Sequence, residues 1–100
     1  MTTIQPKQFV AKLTQEGQNV PTINILLNEL GGVPVITREQ NGVYVFTLPG
    51  AFPANKTTGF TSAGFADVIT DPGEQDFFYI ETRDYKDGLT NISLIVNVYQ

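Results

Sequence analysis

One hundred residues with 41% apolar and 16% charged side chains fit one globular domain and exclude a disordered chain. The absence of cysteine excludes a disulfide scaffold and thiolate metal sites, and a net charge of −4 disfavours contact with phosphate backbones. Seven Phe and four Tyr, with abundant Val, Ile and Thr, suit a pleated and half-buried surface, so an all-β fold is expected.

Taken in chain order, MTTIQPKQFVAKLTQ lacks the basic-then-apolar pattern of a secretory signal. No run in the chain approaches the ~18 apolar residues of a membrane helix. The expectation is a soluble chain made in the cytoplasm, with neither a membrane nor a nucleic acid as partner. Residues 8–14 predict a strand in which Phe9, Ala11 and Leu13 alternate with Val10, Lys12 and Thr14. A turn at Glu16–Asn19 follows. Residues 22–30, TINILLNEL, fit two patterns: Ile23, Ile25 and Leu27 suit a strand, whereas Ile23, Leu26, Leu27 and Leu30 form a helical stripe. Strand is preferred because Gly31-Gly32 cuts the segment short. Asn41-Gly42 between the runs 33–39 and 43–48 is a strong hairpin signal, a type I′ turn needing positive φ at both central residues. Val33, Val35 and Thr37 share one face of that hairpin, and Tyr44, Phe46 and Leu48 another. A glycine-relaxed strand is expected over Thr57–Phe65, and a turn at Asp71-Pro72-Gly73. Phe77–Arg83 reads as a strand with Phe78 and Ile80 on one face and Phe77 and Tyr79 on the other, implying burial between layers or at a subunit contact. Asp87-Gly88 predicts a second tight hairpin, leading into a last strand over Leu89–Tyr99. The sum is a single antiparallel β-sandwich domain over 1–100, jelly-roll-like or immunoglobulin-like, with six to seven short strands.

Chemistry is sparse. The chain has no His and no Cys, and hence neither the usual general base nor a thiol nucleophile. Ser62 lies in Phe60-Thr-Ser-Ala-Gly64, which fails the G-x-S-x-G elbow, and Gly59–Gly64 continues Phe-Ala where a phosphate loop needs Lys-Ser/Thr. Glu81 with Asp67, Asp84 or Asp87 would be the carboxylates of a glycosidase, but one small sandwich seldom offers a deep cleft for a sugar unless subunits build it. No catalytic residue is assigned. Residues 1–50 balance Lys7, Lys12 and Arg38 against Glu16, Glu29 and Glu39, so the acidic excess falls within 67–87. There Asp71, Glu74, Asp76, Asp84 and Asp87 form turns whose carboxylates would suit calcium or a glycan, although none matches a calcium-loop motif. Capping of turns by these acids is the simpler reading.

Three segments carry a resemblance: PTINILLNELGG over Pro21–Gly32, a hairpin strand ending Gly42-Val-Tyr-Val, and the closure T-L-x-G-A-F-x-x-N-K-T over Thr47–Thr57. Together, and more loosely with FFYIETR, they resemble small β-rich proteins encoded by bacteriophages and prophages among virion structural genes, with relatives in Bacteroidetes genomes. The resemblance implies a role in fibres, decoration or host-facing parts of a particle, located in the virion, and transfers no binding residue. With no shaft or coiled-coil stretch, a compact accessory subunit or one head-like module fits better than a whole fibre. The expected function is therefore non-enzymatic, through contacts with other virion proteins and with copies of itself. Phe60, Phe77, Tyr79 and Tyr99 are the candidate interface aromatics, with core filling as the alternative for all four. A second reading is a carbohydrate- or receptor-binding module on a phage or bacterial surface, using Tyr44, Tyr79, Tyr85 or Phe52 as stacking platforms.

Overall fold

The structure, a computed structural model, describes residues 6–71, 73–83 and 86–99. Phe9, Ala11 and Leu13 are fully buried while Gln8, Val10 and Lys12 between them are not, the period-two signature of a strand with one face on a core. That strand, β1 (Lys7–Thr14), is followed by β2 (Thr22–Asn28), β3 (Val35–Gln40), β4 (Val43–Thr47), β5 (Thr57–Thr61), β6 (Ala66–Thr70), β7 (Phe77–Thr82) and β8 (Ile92–Val98). A 3₁₀ turn, Ala54–Lys56, leads into β5. The described residues thus hold eight strands rather than six or seven.

They form two four-stranded antiparallel sheets packed as a β-sandwich. The front sheet runs β2-β1-β8-β5 and the back sheet β3-β4-β7-β6. The edge strands β5 and β6 are consecutive in the chain and close one side of the sandwich. Gly59 permits that closure: a Cβ there would lie 2.4 Å from Val68 Cγ1. The connections after β1, β3, β5 and β7 gather at one end, and those after β2, β4 and β6 at the other.

The core lies between the sheets. Tyr44, Phe46, Phe78 and Ile80 from the back sheet meet Phe9, Leu13, Leu94 and Val96 from the front, all fully buried. Phe46 stacks on Phe78 with ring centroids 4.8 Å apart, and Phe52, delivered by the β4–β5 connection, meets Phe78 edge-on at the same distance. Tyr44 and Phe52 are therefore core residues, not exposed stacking platforms for a sugar, and Tyr85 lies outside the described residues.

One ambiguity resolves as preferred, and three expectations change in detail. Residues 22–28 are strand, and a bulge explains their helical look. The β1–β2 register shifts at Val10/Ala11, so Leu26 has no partner and stands 58% exposed, while Leu27 turns outward beside Val10. The Asn41-Gly42 hairpin forms, but only Gly42 has positive φ (72°), so the turn is not type I′. Glu39 is the unpaired residue of a second bulge there. Asp87-Gly88 makes no hairpin, because β7 pairs with β4 and β6 while β8 pairs with β1 and β5. The segment instead crosses between sheets, anchored by the buried Leu89. Finally, the strand expected over 57–65 stops at Thr61, where the chain turns at Ala63–Ala66 into the unanticipated β6.

Candidate functional site

The acidic residues do not converge. Asp71, Glu74 and Asp76 belong to the β6–β7 connection at one end of the sandwich, Asp87 to the β7–β8 crossing at the opposite end, and Asp84 lies outside the described residues. Among the described residues no group of three or more acidic side chains could hold a metal ion.

Asp87 is fully engaged within the chain. Its Oδ2 accepts from Arg38 Nη2 at 2.8 Å, and its Oδ1 lies within 2.8–3.2 Å of Tyr44 Oη, the Gly42 backbone nitrogen, Gln15 Nε2 and Arg38 Nε. Gln15 Oε1 in turn accepts from the Gly88 backbone nitrogen at 2.8 Å and lies 2.5 Å from Tyr44 Oη, so the single phenolic proton has two acceptors within reach. Asn41 accepts from Arg38 Nη2, tying in the hairpin tip. The Arg38 guanidinium holds the Asp87 carboxyl well below the usual carboxylate range against the opposing effect of burial, helped by Gly42, Gln15 and Tyr44. Burial, then the Asp87 carboxylate, pushes the Tyr44 phenol up. Asp87 raises Arg38 in the same way. Oδ1 is saturated by these donors and Oδ2 is paired with the guanidinium, so the carboxylate is committed to contacts within its own chain. This is a latch joining β1, the β3–β4 hairpin and the crossing.

The opposite end is more open. A cleft of about 390 Å³ lies among the connections, with Leu30 and Leu48 near Lys7, Lys56 and Tyr99. A neighbouring hollow of about 650 Å³ shares Lys56 and includes Asn55, Thr70, Glu74 and Gln75. Asp76 is occupied in part by capping the backbone nitrogen of Gly50 at 2.8 Å.

The remaining feature is the outward surface of each sheet. On the front sheet the cross-strand partners Leu27, Val10, Ile95 and Phe60 form one continuous apolar row over all four strands. Phe60 is 61% exposed, Leu27 41% and Ile95 38%. Polar rows flank it: Asn24, Lys12 and Ser93 on one side, Gln8, Asn97 and Thr58 on the other, with Gln8 Nε2 donating to Asn97 Oδ1 at 2.9 Å. On the back sheet the matching row is Thr37, Val45, Tyr79 and Ile69, beside Val35, Thr47 and Phe77. Its other flank carries Val43, Glu81 and Asp67, the two acids directly opposite each other across β7 and β6. Like charges so placed repel.

Of the four candidate aromatics, none belongs to the buried core. Phe60 stands on the front sheet, Phe77 and Tyr79 lie half-buried on the back, and Tyr99 lines the end cleft, so they do not form one patch. The sequence reading missed Val10, Leu27 and Ile95. Their signal was an apolar residue in the polar phase of each strand, Ile95 between Ser93 and Asn97 being the clearest.

No protein-family model matches the chain, and neither a curated protein nor a solved structure is similar to it. No helix among the described residues is long and apolar enough to cross a membrane.

Proposed function

We propose that this chain is a non-enzymatic structural or accessory subunit of a phage particle, acting through protein–protein contacts as a decoration, fibre or tail module. The observation that carries the reading is the pair of sheet surfaces, with an apolar row over all four front strands and over three of the four back strands, each beside a polar or charged rim. Contiguous exposed apolar surface with such a rim is what a protein interface requires. The phage assignment rests on the sequence resemblance over roughly residues 9–57 and, more loosely, the FFYIETR strand. Mass spectrometry of particles purified from the phage or induced prophage that encodes the chain tests it. The chain is expected at a stoichiometry of many copies per particle, and its absence from intact particles overturns the assignment.

The end cleft favours a second reading, a carbohydrate- or receptor-binding module. Tyr99 is 42% exposed beside Lys7 and Lys56, an aromatic face next to hydrogen-bond donors. A glycan array with and without calcium tests this reading. Binding that Tyr99→Ala abolishes supports it, and no signal in either condition removes it.

A further inference from the structure

We infer that copies of this chain stack front to back, the front sheet of one on the back sheet of the next. Lys12 of one copy then lies over Val43 of its neighbour, between Glu81 on β7 and Glu39 at the β3 bulge, with Asp67 one strand beyond Glu81. The inference rests on the reading of the chain as a protein–protein assembly unit and deepens it by naming the partner, the two surfaces and their polarity.

Charge is the first argument. Among the described residues Lys12 is the only charged side chain in the outward rows of the front sheet, whereas the back sheet carries Glu81 and Asp67, with Glu39 at the adjacent bulge. Neither Glu81 nor Asp67 has an ion-pair partner among the described residues of its own chain, the one such bridge being Arg38–Asp87. A carboxylate pair held side by side with no ion-pair partner among the described residues repels in the isolated chain, and a lysine from a neighbouring copy relieves it.

Register is the second argument. On β1, Lys12 lies two residues from Val10 of the apolar row, and on β7, Glu81 lies two residues from Tyr79 of its apolar row. Two strand residues span about 6.7 Å in both cases. Both steps run toward the end that holds the Asp87 latch. A front-to-back contact that sets apolar row on apolar row, strands in the same direction, therefore sets the lysine row on the acidic row as well. A two-fold pairing of front on front sets Lys12 against no acid, and back on back brings two acidic rows to one interface.

Area is the third. Four strands about 4.8 Å apart and about six residues of 3.4 Å give a face of roughly 400 Å². One contact then buries roughly 800 Å², less than the ~1,200 Å² of a standard interface. Each contact is weak alone, and repetition along a stack or ring is what makes it useful.

Two measurements test the arrangement. In sedimentation velocity from about 10 μM to about 1 mM, the wild-type weight-average coefficient is expected to rise with concentration and to fall back in about 0.5 M salt. Lys12→Glu weakens association roughly tenfold or more. An equimolar mixture of Lys12→Glu with Glu81→Lys, and the doubly exchanged chain, both recover it. A wild type that stays monomeric throughout, or folded exchange variants that fail to recover, overturns the inference. Zero-length carbodiimide cross-linking needs no variant. Lys12 and Glu81 face away from each other on opposite sides of one sandwich, so a Lys12–Glu81, Lys12–Asp67 or Lys12–Glu39 link can form only between copies. Such a link is expected at about 1 mM, and its absence there overturns the inference. If the chain proves monomeric yet is found in purified particles, the assembly-unit reading stands and only self-stacking fails.

Discussion

At the scale of single residues, the Asp87 carboxylate concentrates more polar contacts than any other described side chain, and its effect is pH-dependent. Its folded pKa lies below the ordinary value, so the stability it contributes is present above about pH 4 and is lost as the pH falls below that. Thermal unfolding of wild type and Asp87→Asn is therefore expected to differ most at neutral pH, with the gap closing below about pH 4. A gap that persists unchanged in strong acid would mean that the ion pair with Arg38 is not its source. Tyr44 has the opposite sign. Its phenol is raised, so the stabilisation holds below about pH 10 and is lost as the pH rises beyond it. Tyr44→Phe keeps the buried ring and removes one hydrogen bond, an expected cost of about 1 kcal/mol at pH 7 by denaturant titration. That cost shrinks above about pH 10, where wild type alone must keep the phenol protonated. None of this latch was legible in the sequence. Asp87 lies 72 residues from Gln15, 49 from Arg38 and 43 from Tyr44, and a single sequence carries no signal for contacts that distant.

At the scale of elements, legibility followed alternation. β1, β7 and β8 alternate cleanly, with Phe9, Ala11 and Leu13, then Phe78 and Ile80, then Ile92, Leu94, Val96 and Val98 all buried, and the sequence pattern marks each of them. β2 was ambiguous because the bulge at Leu26 breaks the period of two, and two leucines in succession then imitate a helical stripe. β6 escaped notice because five residues, only Val68 and Ile69 strongly apolar, give too short a pattern between two turns. The β5–β6 corner offers a sharp test of packing. Gly59→Ala drives a methyl into Val68 on the facing strand, and an expected cost of about 1–3 kcal/mol should appear in chemical unfolding. Val68→Ala in the same chain makes room and should recover part of it. A Gly59→Ala chain as stable as wild type would show that the two edge strands separate easily.

At the scale of the whole molecule, the front and back surfaces link stability to assembly. A chain of 100 residues has a stability on the order of 5–15 kcal/mol, so a modest contribution from neighbouring copies is a visible fraction of the total. A partner that binds only the folded state stabilises by mass action, about 1.4 kcal/mol when its free concentration is roughly tenfold above Kd. For a domain of this size that raises Tm by about 5–10 °C. Front-to-back stacking thus predicts a wild-type Tm that climbs across the concentration range in which sedimentation shows association. Lys12→Glu removes the climb, while its Tm at low concentration stays close to that of wild type, because Lys12 makes no described ion pair within its own chain. Differential scanning calorimetry at several concentrations separates the two contributions. A Tm equally independent of concentration in both chains would mean that copies of this chain do not cover each other's apolar rows.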